Sequence, residues 1–493
     1  MARVQLALKV SDLEASIDFY SKLFNTKPTK LRPGYANFAV TEPPLKLVLL
    51  EGEPDRATVF DHLGVEVDST EQVDGTTRRL SDEGLETTTE EEVACCYASM
   101  DRVWVYGPGK EPWEVYVVKG EANTTGDGGA LNMRELNRAL LARQLLLERR
   151  KLRLANVLEH LVGVNAENSD SPYIGLWSRL EDFQFGALSE LISEREAGSS
   201  RQMRGAMHLT SAADIMALRP WVQQLLEEQL KGKHGEALDS VDLSEVVESA
   251  KVHLAEKPLT HEELGKALAE RWPQHDATAL AQAAEYLLPL VQVPPGNTWG
   301  SDEAAANSTV EAWFGRPIDD YAEPDKIVLR YLSVFGPAAI RDAEYWSGIK
   351  GLKDVFERLR PQLKTFRDER GKELFDLPNA PRPGADAPAP VRFLPESDNI
   401  LLSHADRHRI ITDDDAGKVF TTNDSCRATV LIDGYVGGTW SVEHKDDTAI
   451  LKVRPFKPLS DEDSAALSEE GARLLDVVAA GAGAHEVEIA SAD

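Results

Sequence analysis

One composition break constrains this chain more than any other feature. Residues Gly120-Glu-Ala-Asn-Thr-Thr-Gly-Asp-Gly-Gly129 carry too much Gly, Thr and Asn to extend a helix or a sheet. Before the break, short apolar runs alternate with single helical patterns. After it, apolar residues fall mostly at helical spacing. Two unlike parts are therefore expected: a domain over 1–120, a linker over 121–130, a long region over 131–480, and a flexible acidic tail over 481–493.

The first part reads as two βαβββ units in tandem. Strands are expected at 4–8, 35–40, 45–50, 62–67, 95–98, 103–106 and 113–118. One helix opens at Ser11 with Glu14 as its capping-box partner, and a second lies near 69–83. Beyond the linker, Asn132 with Glu135 and Thr260 with Glu263 are capping boxes that open helices. Residues 363–375 read as a hairpin turning at Arg370-Gly371, and helices followed by a hairpin fit a winged helix or a generic α+β domain. A Pro/Ala-rich connection over 378–390 leads to a β-rich end around 429–432 and Thr439-Trp440. The fold class is α+β multidomain.

Charge and cysteine content narrow the partners. The net charge of −29 divides into −9 up to residue 122 and −20 beyond it, so loose attraction to nucleic acid is excluded and any DNA contact needs a local basic face. The helix region 132–153 offers one, with Arg138, Arg143, Arg149 and Arg150 as candidate phosphate contacts, although a solvated helix face fits the same composition. No apolar run approaches the ~20 residues of a membrane span. Three cysteines form no disulfide framework, so a reducing cytoplasm and no membrane partner are expected.

Two of those cysteines are adjacent, Cys95 and Cys96. Neighbouring thiols close a disulfide only with strain, yet together they suit a soft, thiophilic atom such as trivalent arsenic or cadmium. A pair of small buried side chains is the plainer reading. Gln5, His62 and Glu114 fall on the first strand of the first unit and on the first and last strands of the second. Inward side chains on these strands can converge on a metal, while a lone strand histidine also serves as a core or surface residue.

Several stretches carry a resemblance: Arg3-Val-Gln5-Leu-Ala-Leu, Phe19-Tyr-Ser-Lys-Leu-Phe24, Pro33-Gly-Tyr-Ala-Asn-Phe38, His62-Leu-Gly-Val-Glu-Val67, Cys95-Cys96 and Trp113-Glu114-Val-Tyr116. Through them residues 1–120 resemble the vicinal-oxygen-chelate (glyoxalase/bleomycin-resistance-like) superfamily. Within it they resemble the cadmium-induced proteins and the organoarsenical carbon–arsenic lyases. The resemblance implies Fe(II) on Gln5, His62 and Glu114, a trivalent organoarsenical docked on Cys95 and Cys96, and dioxygen as co-substrate for oxidative cleavage of the carbon–arsenic bond.

The region 131–480 resembles the winged-helix family of azinomycin-resistance DNA glycosylases. The stretches are Leu136-Asn-Arg138-Ala-Leu-Leu-Ala-Arg143-Gln144, Ser171-Pro-Tyr173-Ile-Gly-Leu-Trp177-Ser-Arg179, Met203-Arg204-Gly205-Ala-Met-His208, Asp398-Asn399-Ile-Leu-Leu-Ser403-His404 and Asp433-Gly434 to Trp440. Where that family carries Gln-x-Gln or Gln-x-Asp to position the attacking water, this chain has Asn165-Ala166-Glu167. Glu167 suits a general base, but its charge repels a DNA backbone. The resemblance therefore implies a DNA-binding scaffold, with slow or absent base excision.

The expected whole is an iron-dependent lyase fused to a winged-helix DNA-binding region, with its oligomeric state open. The alternatives are a cadmium- or arsenite-sequestering protein and a DNA-repair protein with a metal-sensing front domain. The Gln5/His62/Glu114 set favours the enzyme, because sequestration by thiols needs no such triad.

Overall fold

The computed structural model describes residues 3–491 except 33, 42–43, 52–58, 84, 86, 96–97, 107–111, 122–126, 320 and 422–425. The chain divides into two compact units, Met1–Gly126 and Asp127–Asp493.

In unit 1 the order is β1 (Arg3–Val10), α1 (Leu13–Leu23), β2 (Lys30–Arg32), β3 (Tyr35–Val40), β4 (Leu45–Glu51), β5 (Val59–Glu66), α2 (Thr70–Asp82), β6 (Thr87–Cys95), β7 (Ala98–Tyr106) and β8 (Pro112–Glu121). These are two successive βαβββ units. They join in one eight-stranded sheet of order β2-β3-β4-β1-β5-β8-β7-β6, in which the second unit mirrors the first about the β1–β5 pair. One expectation needs correction. The cap of α1 is Asp12, whose carboxylate accepts the Ala15 N–H at 2.9 Å, rather than Ser11. Of the strand expected at 95–98, Cys95 closes β6, Ala98 opens β7, and residues 96–97 lie outside the described residues. A core of Ala36, Phe38, Leu47 and Leu49 packs against Leu13, Ile17 and Tyr20 of α1.

Unit 2 opens with β9 (Asp127–Leu131) and α3 (Met133–Arg143). The glycine-rich stretch thus ends in a strand, because 127–131 pairs in parallel with strand Lys364–Asp368. The capping boxes at Asn132/Glu135 and Thr260/Glu263 both form. The apolar run past Arg143 leaves the helix, and Leu145 takes a positive φ of 56°.

Two successions of helices end in a β-hairpin. In one, helices Leu243–Glu256, His261–Ala269 and Ala277–Leu287 precede strands Leu290–Val293 and Ala306–Thr309. In the other, helices Pro324–Phe335, Ile340–Ser347 and Lys353–Leu359 precede strands Lys364–Asp368 and Glu373–Asp376. The second hairpin turns through Gly371 at φ 78°, a conformation open to glycine.

The expected flexible tail is also partly ordered. Strand Ala484–Ile489 pairs in parallel with Thr448–Pro455, because Val487 and Ile489 alternate toward the apolar side of helix Asp461–Val478. No helix among the described residues is long and apolar enough to cross a membrane.

Candidate functional sites

Cross-strand register builds the first site. Gln5 on β1 lies opposite Gly64 on β5, and Gly64 opposite Glu114 on β8. Directly paired residues share a face, and so do residues two apart on one strand. That places Gln5, His62, Glu114 and Tyr116 together on one side of the sheet.

The three expected ligands meet there, buried at 5%, 8% and 2% exposure respectively. Gln5 Nε2 lies 3.1 Å from His62 Nε2 and donates to Glu114 Oε1 at 2.8 Å. His62 Nε2 is 3.2 Å from the same oxygen. Gly64 makes the approach possible, since a Cβ there would meet Tyr116 Cε1 at 3.1 Å and Gln5 Cβ and Glu114 Cγ at 3.2 Å.

Neighbouring side chains hold the cluster. Tyr116 donates its hydroxyl to Gln5 Oε1 at 2.8 Å and receives the Lys46 ammonium at 2.9 Å. Arg102 reaches Glu114 Oε2 at 3.3 Å and lies over the Trp104 ring, which meets His62 edge-on.

The donor set suits a cation. Heavy atoms about 3 Å apart match the adjacent-ligand spacing of a small six-coordinate ion with ~2.1 Å bonds. An amide oxygen, an imidazole and a carboxylate form a borderline N/O set that suits divalent iron. Turning the Gln5 amide over would bring its oxygen to the inward place, with the Tyr116 hydroxyl accepting the N–H. Among the described residues, no group of three or more His, Cys, Asp or Glu gathers to hold a metal. Cys96 lies outside the described residues, and Cys95 is described only as the backbone that closes β6.

The second site surrounds the Asn165/Glu167 motif of unit 2. Strand Val164–Asn165 pairs with Met207–Ser211 at the edge of a six-stranded sheet. The Asn165 N–H donates to Asn399 Oδ1 at 3.1 Å, and Asn165 Oδ1 accepts the Glu167 N–H at 3.1 Å. Glu167 Oε1 in turn accepts the Met207 N–H at 2.7 Å. The motif is thus fixed by the paired strand at Met207 and by Asn399.

Glu167 lines two cavities. One, of about 560 Å³, also meets Asn165, Arg201, Arg204, Lys233 and Tyr345. The other, of about 410 Å³, meets Arg201, Arg219, His261, Glu285 and Asn307. Arg204 sits at a hairpin tip with φ 58°. Its guanidinium donates to the carbonyls of Trp346 at 2.7 Å and Leu402 at 3.3 Å, and burial pushes its pKa down to about 10. Arg204 was visible in sequence only as part of a family stretch, and His261 only as a helix start.

The arginines expected to touch DNA are largely inside the protein. The Arg143 guanidinium, fully buried, grips Asp376 at 2.7 and 2.8 Å. Arg138, equally buried, bonds Asp433 at 2.5 Å and the Ala387 carbonyl at 2.6 Å. Arg149 bonds Glu470 at 2.6 Å and covers the Trp177 ring. These three clamp α3 and its flank to distant segments, so they are unavailable to phosphate. Arg150 alone is exposed, beside Glu148 at 3.0 Å.

Comparison with known proteins agrees with this division. The "DNA glycosylase AlkZ-like" family model matches residues 158–477, and the "Glyoxalase/Bleomycin resistance protein/Dioxygenase superfamily" model matches residues 3–115. A trivalent organoarsenical cleaving enzyme of Thermomonospora curvata is 67% identical over 124 residues, which are 25% of this chain and 82% of that one. The cadmium-induced protein CadI of Mycobacterium tuberculosis is 56% identical over 128 residues, which are 26% of this chain and 84% of the relative. The solved structure of the Streptomyces sahachiroi DNA glycosylase AlkZ superposes with a TM-score of 0.60 at 18% identity, covering 73% of this chain and all of that one, a likeness of fold. The chain therefore belongs to the AlkZ-like DNA glycosylase family, and its first 120 or so residues add a domain of the glyoxalase/bleomycin-resistance/dioxygenase superfamily.

Proposed function

We propose that unit 1 cleaves the carbon–arsenic bond of trivalent organoarsenicals, and that unit 2 binds DNA, where Glu167 is the group placed to activate water for slow release of a damaged base. The observation that carries the first reading is the meeting of Gln5, His62 and Glu114 on one face of the sheet, in a domain 67% identical to an organoarsenical cleaving enzyme. In this reading His62 and Glu114 would hold divalent iron, and Gln5 would be the third ligand with its amide turned so that the oxygen faces them. Bound iron supplies the redox chemistry of oxidative cleavage with dioxygen. Cys95 and Cys96, as a thiolate pair, hold the arsenic, because soft sulfur selects the soft atom.

Residues of this chain set the rest. With the amide turned over, the Tyr116 hydroxyl would accept the Gln5 N–H in place of donating to its oxygen, and Arg102 holds the second oxygen of Glu114, leaving the first for the cation. Burial of all three ligands keeps bulk water from the cluster.

In unit 2, the two helix–helix–hairpin successions support a tandem winged-helix reading. Exposed Lys233, which lines the cavity beside Glu167, and exposed Arg150 replace the buried arginines as phosphate contacts.

Anaerobic titration of the whole chain with ferrous iron, followed by assay with a trivalent methylarsenical, tests the leading reading. One iron per chain is expected, lost in His62→Ala together with turnover. Iron binding by His62→Ala as tight as the parent's would refute the ligand set.

A further inference from the structure

The 410 Å³ cavity beside Glu167 contains an oriented imidazole that the proposed reaction has not yet used. His261 opens helix His261–Ala269, and its Nδ1 donates to Glu285 Oε1 at 2.9 Å. Glu285, on helix Ala277–Leu287, is held from two other elements: Asn307 Nδ2 at 3.4 Å and Arg201 Nη2 at 3.4 Å. Anchoring Nδ1 on a carboxylate fixes the ring and leaves Nε2 as the exchangeable nitrogen. Nε2 makes no hydrogen bond among the described residues, and the side chain is about one third exposed in a cavity that Glu167 also lines.

We propose that His261 is the acid of this cavity, passing a proton from Nε2 to a departing nucleobase while Glu167 takes one from the attacking water. The inference rests on the glycosylase reading of unit 2 and deepens it, because it widens the substrate class. A purine nucleotide alkylated at N7 or N3 is already cationic, and its base leaves as a neutral molecule without help. A neutral damaged nucleotide releases its base as an anion unless an acid protonates it.

The step balances as a hydrolysis. Water oxygen bonds the sugar C1′ as the C1′–N bond breaks. The bond pair goes to the base nitrogen, which gains the His261 proton, while Glu167 gains the water proton. Solvent then restores both groups, leaving an abasic sugar and a free base. A cavity of this size suits one extruded base.

The surrounding charges favour the role. Glu285 raises the His261 pKa above its ordinary value, against a lowering by burial and by Arg201. Arg219 and Glu167 line the same cavity, and Glu262 and Glu263 follow on the same helix.

The test uses the full chain in single turnover on two duplexes, one holding a single 7-methylguanine and the other a single hypoxanthine. His261→Asn should slow hypoxanthine release at least about 100-fold, the lower end for a general acid, while changing 7-methylguanine release less than about threefold. Glu285→Gln keeps the Nδ1 contact but removes the charge, so it should move the alkaline limb of the hypoxanthine profile to lower pH. Equal losses on both duplexes, or no loss on hypoxanthine, overturn the proposal, as does an unmoved alkaline limb in Glu285→Gln. A parent that releases only 7-methylguanine overturns this inference and leaves the glycosylase reading standing. A parent that releases neither overturns both.

Discussion

Replacing Arg143 with methionine separates the two roles an α3 arginine can have. Its guanidinium is fully buried, bonded twice to Asp376 and once at 2.8 Å to the Leu332 carbonyl. Removing one partner of a buried pair typically costs about 3–5 kcal/mol, because the other charge stays in a low-dielectric site. Asp376 keeps Arg382 at 2.5 Å and the Leu377 N–H at 2.9 Å, so the lower end, about 3 kcal/mol, is expected. Adding Asp376→Leu should deepen that loss rather than restore it, since Arg382 and the Leu377 N–H then lose the same carboxylate. Urea unfolding followed by tryptophan fluorescence reads it, because of the nine tryptophans all but Trp104 and Trp113 lie in unit 2. At low urea the variant should bind duplex DNA as the parent does. A loss below about 1 kcal/mol with a clear fall in DNA affinity would refute the structural role and return Arg143 to the phosphate.

Three further outcomes are expected. Cys95→Ser or Cys96→Ser should abolish turnover of a methylarsenical while leaving iron bound; full turnover in both single variants would sink the docking role. Gly64→Ala should weaken iron affinity about tenfold with unit 1 still folded by circular dichroism, the range seen when a ligand's supporting contacts are lost, because its Cβ presses on Gln5, Glu114 and Tyr116; unchanged affinity would show that the cluster accommodates it. Burial pushes the pKa of His208 and of His404 from 6.5 down to about 3. The unfolded chain therefore takes up these protons first, and stability rises with pH from about 3 to 6.5 and is lost as pH falls through that window. At pH 5 each histidine costs about 2 kcal/mol, so the His208→Gln/His404→Gln protein should lose less stability between pH 7 and 5 than the parent, and an identical loss would refute the assignment.

Short-range chemistry was legible in the residues. Asn132 and Thr260 cap helices because their partners, Glu135 and Glu263, stand three positions on. The turn at Gly371 is likewise a local choice of backbone angle. The tandem βαβββ order followed from alternation along each strand, whereas Gln5, His62 and Glu114 were singled out as a set by the family resemblance, their spacing alone being a weak signal.

Interactions between residues far apart in sequence were not legible. The run of arginines after Asn132 reads equally as a phosphate track or a solvated face. Only the fold brings Asp433, Asp376 and Glu470, which lie 295, 233 and 321 positions away, against Arg138, Arg143 and Arg149. The link from His261 to Glu285 is hidden in the same way, because it joins two helices across a turn. The sequence by itself determined which segments become helix and strand and which residue types face inward, since capping, turn geometry and alternation act over a few positions. The tertiary structure alone decided which charges are neutralised inside and which remain at a cavity wall, because a guanidinium goes to whichever carboxylate or carbonyl the packing brings within 3 Å.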